Sequence, residues 1–212
     1  MTSGTDRAVR CRLALALTFV IACSLPPGTV RSAQAAAETA SDTALSVEQL
    51  MQRLAQVKSA KAAFVERKHL RILNAPIESS GTLLYTAPGY LEKHTLAPKP
   101  ESLVLEKDTL TFEDKTRNRR RTLRLQEYPA LWAFVESIRS TLAGDLQSLN
   151  RFYRVTLEGG ELDWRLILDP REPAIERVVK QIRITGSRTS VRSIETTEVE
   201  GDRSLMTITE AK

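Results

Sequence analysis

Residue patterns that commonly carry catalysis are sparse in this chain. The sequence contains no G-x-S-x-G, no H-E-x-x-H and no glycine loop of the kind that holds phosphate, so three common catalytic or nucleotide-binding motifs are missing. Its two histidines, His69 and His94, lie on separate predicted strands among charged neighbours. An acid–base role needs an oriented partner, and the sequence offers none, so solvated positions are favoured. We therefore expect no enzyme activity and no cofactor.

Carboxylates and cysteines add no further chemistry. Asp163, Asp169 and Glu172 have arginines close by in sequence, which favours surface ion pairs over a paired acid and base. The only cysteines, Cys11 and Cys23, both lie in the first 35 residues. The remaining chain therefore has no disulfide, no thiolate nucleophile and no cysteine-ligated metal. We expect no metal site.

The first 35 residues have the order of a secretory signal. Several arginines precede the apolar run 13–22, which is too short to span a bilayer comfortably, and Ala35 ends a stretch of small residues suited to cleavage. We predict a signal peptide over 1–35 and one periplasmic domain over 36–212. In the alternative, residues 20–23 resemble a lipobox. Cleavage before Cys23 would then leave an acylated protein anchored to the membrane and facing the periplasm.

Charge argues against nucleic acid as a partner. The net charge of +5 includes four arginines and one aspartate of the first 35 residues, and the rest of the chain is near +2. Positive charge is concentrated in a basic hairpin at 115–124, which includes Arg117, Arg119, Arg120 and Arg121. Such a run favours a solvated strand edge that resists aggregation. A docking patch for anionic lipid head groups or an acidic partner is the alternative.

Two segments are predicted to be helical, and they must position whatever the strands carry. The first covers 46–57, where Ser46 and Gln49 form a capping box ahead of an apolar stripe. The second covers 129–142, with Pro129 in its first turn and Gly144 just after its end. Asp145 can cap a further short helix.

Eleven strands are predicted from short runs of β-forming residues between turn residues. They cover 63–73, 80–86, 90–96, 101–105, 109–113, 119–125, 151–158, 161–169, 175–185, 191–199 and 203–209. Gly159 and Gly160 are predicted to form a two-residue hairpin turn. Tight turns join antiparallel neighbours. We therefore expect a mainly β fold with α-helices: a large curled antiparallel meander, or half-open β-barrel, of about eleven strands covered by two or three helices.

Alternating apolar residues give these strands one buried face and one wet face. If the helices fill the concave face, the interior is an ordinary core; if they cover it incompletely, a hydrophobic cavity for acyl chains remains. Periodicity leaves both readings open. The residues we expect to line such a cavity are Leu83, Tyr85, Leu103, Leu105, Leu110, Phe112, Leu123, Leu125, Trp132, Phe134, Ile138, Trp164 and Leu166.

Three segments carry a family resemblance. Residues 59–66, Ser-Ala-Lys-Ala-Ala-Phe-Val-Glu, are followed at 80–89 by Ser-Gly-Thr-Leu-Leu-Tyr-Thr-Ala-Pro-Gly, and the helix at 129–142 lies in mid-chain. In this order they resemble the first strand, the strand with its Pro-Gly turn, and the helices of the LolA/LolB family of outer-membrane lipoprotein carriers. The resemblance covers nearly the whole chain after the signal peptide.

The resemblance implies a half-open barrel capped by helices, whose cavity holds the acyl chains of lipoproteins or of another lipid-linked cargo. It further implies a monomer that takes cargo from an inner-membrane donor and passes it to an outer-membrane acceptor. Family carriers often have a basic residue directly before the turn proline, linked to lid closure. Here Thr86 and Ala87 precede Pro88, so that latch is not carried over and a divergent LolA-like protein is indicated.

Two other functions stay open at this point. A sensor or interaction module on the same fold would bind a partner protein through the basic hairpin or a sheet edge. An enzyme acting on a lipid or glycan would need a polar cluster inside the cavity.

Overall fold

The computed structural model describes residues 45–210, so the predicted signal peptide and Cys23 lie outside the described residues. The helices are α1 (Val47–Leu54), α2 (Pro129–Ala143), α3 (Leu146–Phe152) and α4 (Pro173–Glu176). The strands are β1 (Ser59–His69), β2 (Ile77–Thr86), β3 (Tyr90–Ala97), β4 (Glu101–Glu106), β5 (Thr109–Asp114), β6 (Arg119–Arg124), β7 (Tyr153–Gly160), β8 (Asp163–Pro170), β9 (Val179–Ser187), β10 (Ser190–Glu198) and β11 (Arg203–Glu210). The predicted fold class, a mainly β chain with one large antiparallel sheet and helical cover, is confirmed.

Local signals set the start of α1 and both ends of α2 as predicted. The Ser46 side chain accepts a hydrogen bond from the Gln49 amide, and the Gln49 side chain accepts one from the Ser46 amide. Helix α2 begins at Pro129 and ends at Gly144, whose φ of 69° is in the left-handed region. A side chain at Gly144 would also meet the Met51 carbonyl oxygen at 2.1 Å, so this position both ends α2 and lets α1 approach it.

All eleven strands form one antiparallel sheet, but not one continuous meander. The order is β6-β5-β4-β3-β2-β1-β11-β10-β9-β8-β7, so two meanders meet where β1 pairs with β11. The expectation of a single meander in chain order is therefore corrected. After β6 the chain reaches one edge of the sheet, and α2 and α3 carry it across the inner face to the opposite edge strand, β7. Helices occupy that crossing because residues 129–152 have helical periodicity and no strand pattern.

The hairpin between β7 and β8 turns two residues later than predicted. Gly160 still pairs with Asp163, so Glu161 and Leu162 form the turn. Gly159 has a φ of 81°, and a side chain there would meet the Asp163 carbonyl oxygen at 2.0 Å. Gly159 is thus needed because the two strands approach closely there, not because it lies in the turn. The rule for two-residue turns cannot distinguish these two reasons for a glycine.

Several other boundaries differ from the prediction. Helix α1 ends at Leu54, three residues early; β1 ends at His69, four residues early; and β2 begins at Ile77, three residues early. Strand β1 begins at Ser59 rather than at residue 63, because Ala60 and Ala62 pair with β2. The predicted strand 175–185 begins with the short helix α4 and becomes strand β9 only at Val179.

The helices bury two apolar clusters against the two flanks of the sheet. The larger joins α1, α2 and α3 to strands β7, β8 and β9. The smaller joins α2, through Val135 and Leu131, to Leu105 and Leu110 on β4 and β5. Helix α2 therefore packs on both flanks. The strands between the flanks are β3, β2, β1, β11 and β10, and we call them the central strands.

Candidate functional site: a hollow over the central strands

Register places one side of each central strand on the inner face of the sheet. Phe64 on β1 pairs with Gly81 on β2 and with Ile208 on β11. Met206 on β11 pairs in turn with Ile194 on β10. Directly opposed residues of antiparallel strands share a face, so these side chains line one surface.

A hollow of about 1000 Å³ lies over this surface, at the upper end of the range typical of ligand sites. We call it the central hollow. It follows the inner face of β1 from Ser59 to Lys68, a run of roughly 30 Å at the usual rise of a strand. Its apolar lining comes from the central strands, from the adjoining strands β4, β5 and β9, and from α2. These residues include Leu83, Tyr85, Leu91, Leu103, Leu105, Leu110, Leu131, Phe134, Val135, Ile138, Leu142, Ile184, Val191, Ile194, Met206 and Ile208.

The hollow exists because the helices cover the flanks of the sheet more completely than its middle. On β8 and β9, Leu166 and Ile182 are fully buried beneath the helices. On the central strands, Ile194, Met206 and Ile208 face the same side but keep part of their surface exposed. The helices therefore fill the flanks as a core and leave an apolar surface uncovered over the central strands.

The wall also includes charged side chains, and Glu66 is the centre of the most buried cluster among them. Glu66 is 6% exposed, and its carboxylate accepts hydrogen bonds from the Lys93 ammonium at 2.5 Å and from Ser204 Oγ at 2.7 Å. Lys68 Nζ lies 3.5 Å from the same carboxylate. Burial opposes ionisation of Glu66, but Lys93, Ser204 and Lys68 outweigh it, so the pKa of this carboxyl lies below its ordinary value. Glu66 is thus a poor proton acceptor at neutral pH and acts as an anchor for Lys93.

Tyr85 is buried at the inner wall, and within residues 45–210 its hydroxyl has no hydrogen-bond partner. Burial raises the pKa of this phenol. The side chain therefore contributes a neutral, mostly apolar ring to the hollow.

The structure brings seven of the thirteen predicted cavity residues together around the hollow: Leu83, Tyr85, Leu103, Leu105, Leu110, Phe134 and Ile138. The other six do not line it. Leu125, Trp164 and Leu166 are fully buried in the flanking clusters. Trp132 packs edge-on against Phe152, with ring centres 5.5 Å apart. Phe112 and Leu123 are half-buried on β5 and β6, beyond the hollow. Binding of acyl chains by any of these residues stays a prediction.

Arg139 fastens α2 to the turn between β4 and β5. Its guanidinium donates to the Lys107 carbonyl oxygen at 2.7 Å and lies 3.6 Å from the Asp108 carboxylate, both in the turn between β4 and β5. It also pairs with Glu136 on α2. The space that a side chain at Gly89 would need is occupied by the Arg139 side chain. A basic side chain thus reaches the Pro-Gly turn after β2, but it comes from the helix rather than from the residue before the proline.

The predicted basic hairpin is the turn between β5 and β6. Arg119, Arg120 and Arg121 pair with β5 on one side, and β6 is an edge strand of the sheet. All three side chains are exposed, and no ion pair found within residues 45–210 includes them. Arg117 is exposed as well and lies 3.8 Å from the Asp114 carboxylate. Their role in docking is untested.

Sequence reasoning missed Glu66 and Lys93 as site residues. Each occupies an inward position of an alternating strand, Glu66 two residues after Phe64 and Lys93 two residues after Leu91. A charged residue in an apolar alternation is the signal that could have marked them. Their contact could not be read from the sequence, because it crosses from β1 past β2 to β3.

Comparison with known families identifies the family of this chain. The family of LolA-like outer membrane lipoprotein carrier proteins matches residues 39–211, so the chain belongs to that family. A search of curated proteins finds no match.

Several solved structures are similar in fold. A LolA superfamily protein from Nitrosomonas europaea has 9% identity and a TM-score of 0.40, over 78% of this chain and 92% of that one. A DUF1329 family protein from Desulfovibrio piger has 8% identity and a TM-score of 0.43, over 77% and 88%. LprF from Mycobacterium bovis has 11% identity and a TM-score of 0.35, over 77% and 91%. Since these TM-scores are low, the family assignment rests on the sequence match alone.

None of the helices within the described residues 45–210 has both the length and the apolar character needed to cross a membrane.

Proposed function

We propose that this protein is a periplasmic carrier that binds the acyl chains of lipoproteins, or of another lipid-linked cargo, in the central hollow and moves them toward the outer membrane. One observation carries the proposal: the helices leave an apolar hollow of about 1000 Å³ over the central strands. Membership of the LolA-like family supports the same reading.

The energetics of such a carrier follow from burial. Each methylene transferred from water to an apolar wall contributes about 0.8 kcal/mol. A chain of a dozen methylenes would therefore gain roughly 10 kcal/mol, enough to hold a lipid away from water. Handing the cargo on requires that α2 can move, and its attachment through Arg139 to the turn between β4 and β5 is the contact that such a movement would break.

The proposal is tested by narrowing the hollow. Met206 points into it, whereas its neighbour on β11, Leu205, is exposed on the other face. We expect Met206→Trp to lose most of the lipid that co-purifies with the wild type from the periplasm, while Leu205→Trp keeps it. The measurement is native mass spectrometry of the three purified proteins. A bare polypeptide mass for the wild type under mild ionisation would contradict the carrier.

The basic hairpin supports a subsidiary proposal. Three exposed arginines on an edge strand suit docking to a membrane of anionic lipids, where cargo is collected or released. The competing function, a sensor or interaction module, uses the same hairpin to bind a partner protein and needs no cargo. The two are separated by whether hairpin variants lose membrane binding or only protein binding.

A further inference from the structure

The ion pair between Glu66 and Lys93 is an unusual lining for a hydrophobic hollow. Lys93 lies inward on β3, in register with Leu83 on β2 and Leu103 on β4, both apolar. Its ammonium also lies 4.8 Å from the centre of the Phe64 ring. Burying such an ion pair contributes little to the free energy of unfolding. Well-packed apolar residues of similar volume often stabilise a protein as much or more. A role beyond folding is therefore indicated.

The pair is asymmetric in its hydrogen bonding. The Glu66 carboxylate has donors from Lys93 and Ser204, with Lys68 close by, and its side chain is 7% exposed. The Lys93 side chain is 25% exposed and borders the hollow. Its ammonium has three donors, and in the described part of the chain its only hydrogen-bond partner is Glu66. Donors of Lys93 therefore remain for a group inside the hollow.

The remaining hydrogen-bond donors of Lys93 favour a ligand that supplies oxygen atoms. Glu66 carries one negative charge, while Lys93 and Lys68 carry two positive charges within reach of it. Arg203, Asp202 and Glu198 line the hollow as well, near the same end of β1. These six side chains carry three positive and three negative charges, so their net charge is zero. Attraction for carbonyl or phosphate oxygens therefore comes from the remaining donors of Lys93.

We propose that Lys93, held in place by Glu66, binds the carbonyl oxygens that join the acyl chains of the cargo to its head group. This rests on the proposed carrier function and deepens it. The cluster lies toward the Lys68 end of the hollow, so the polar junction of the cargo is held there. The chains extend from it along Leu83 and Tyr85 toward the Ser59 end. The cargo class is an amphiphile with ester or amide carbonyls at the base of its chains, rather than a plain hydrocarbon.

The test compares two ligands that share the hollow but differ in polar groups. N-phenyl-naphthylamine, an uncharged apolar dye, reports on the hollow by its fluorescence. Monomyristoylglycerol, which has one ester carbonyl, displaces it. The test variant is Glu66→Gln with Lys93→Met, which removes the pair without leaving a buried charge unpaired. Lys93→Arg keeps charged donors, and Lys99→Met, at an exposed loop position, is the matched control.

We expect the double variant to bind monomyristoylglycerol about tenfold more weakly and the dye with wild-type affinity, since a hydrogen bond from a charged group is lost and the apolar wall remains. Lys93→Arg and Lys99→Met should keep both affinities within about twofold. An equal loss for both ligands would mean that the pair only shapes the hollow, and would overturn the proposal. Unchanged affinity for both would overturn it too.

The same experiment distinguishes a failure of the proposed carrier function from a failure of the proposed role of Lys93. If the wild type binds neither the dye nor monomyristoylglycerol, the hollow is not a binding site and both proposals fall. If the wild type binds both and the double variant matches it, only the role of Lys93 falls. Should the double variant not fold, Glu66→Gln with Lys93→Gln, which removes both charges and lets the two amides pair, takes its place with the same expected direction of the split between the ligands.

Discussion

At the scale of single residues, the central hollow depends on small side chains as much as on large ones. Gly81 on β2 is buried, and a side chain there would meet the His94 carbonyl oxygen at 1.9 Å and the Phe64 ring at 3.0 Å. The Phe64 ring in turn lies beneath the Lys93 ammonium. The missing side chain at Gly81 therefore leaves room for the Phe64 ring, and the ring helps to position the Lys93 ammonium.

We expect Gly81→Ala to lower the free energy of unfolding by about 1–3 kcal/mol, because backbone and ring must both shift to admit the methyl group. The matched control is Gly160→Ala, where no atom lies within 4 Å of the added carbon, so stability should stay within about 0.5 kcal/mol or rise slightly. Urea unfolding followed by circular dichroism measures both. Equal stability of the two variants would show that the approach at Gly81 is not tight.

The same scale explains why the polar cluster is stable on an apolar wall. Glu66 has partners from β3, from β11 and from its own strand, in Lys93, Ser204 and Lys68. A buried carboxylate with several donors stays ionised, which its lowered pKa expresses. Among the described residues 45–210, no such set of partners surrounds His69, which is exposed on β1.

At the scale of elements, α2 has two tasks. Through Ala133 it belongs to the larger cluster, and through Val135 to the smaller one. Its face between these contacts, with Phe134 and Ile138, borders the hollow. Arg139 also holds α2 to the turn between β4 and β5. Loss of that side chain should therefore loosen the helix without removing an apolar contact.

We expect Arg139→Met to increase amide hydrogen exchange in α2 about tenfold and to speed release of the apolar dye, because one charged hydrogen bond of about 1.5 kcal/mol is lost and Glu136 keeps only the Ser140 hydroxyl as a partner. Arg192→Met, at an exposed position on β10, is the control and should change neither rate. Exchange followed by mass spectrometry, with stopped-flow fluorescence for the dye, provides the measurement. Unchanged protection of α2 would mean that its apolar contacts alone hold it.

At the scale of the whole molecule, charge is unevenly placed on a nearly neutral domain. The edge strand β6 carries three exposed arginines, far along the sheet order from the pairing of β1 with β11. An arginine near an anionic membrane contributes about 1 kcal/mol, so three give a preferred orientation for docking.

We expect substitution of Arg119, Arg120 and Arg121 by glutamine to weaken binding to phosphatidylglycerol vesicles roughly 100-fold at low salt, with dye affinity unchanged. The control replaces the exposed Arg154, Arg177 and Arg192 in the same way, which matches the change in net charge at scattered sites. Co-sedimentation with vesicles measures both. An equal loss in the control would show that net charge alone matters. Loss of a protein partner with vesicle binding intact would favour the interaction module.

Local patterns were sufficient for much of the fold. The capping box at Ser46, the start of α2 at Pro129 and its end at Gly144 depend on residues within one turn, so the sequence predicts them well. The turn between β7 and β8 was predicted at Gly159 and Gly160, two residues too early. Glycine is selected both by a turn with positive φ and by close approach of two strands, and only the position of the partner strand distinguishes the two causes.

The candidate site was only partly predictable. Alternation assigns a residue to a face of the sheet but does not say what covers that face. Leu166 and Leu83 have similar strand patterns, yet Leu166 is buried beneath the helices and Leu83 borders the hollow. The contact between Glu66 and Lys93 lies outside the reach of pattern reasoning, because it needs the register of three strands at once.

The sequence by itself determined the type and order of the elements, apart from the short helix α4, and the apolar face of the strands, since propensity, capping and alternation act over a few residues. The tertiary structure alone decided that β1 pairs with β11 and that α2 and α3 cross the inner face. Those two long-range choices place the helices on the flanks and leave the middle open. No local pattern encodes them, because the energy that selects them comes from burial between segments more than 100 residues apart in the chain, such as Glu66 and Ser204 with a separation of 138.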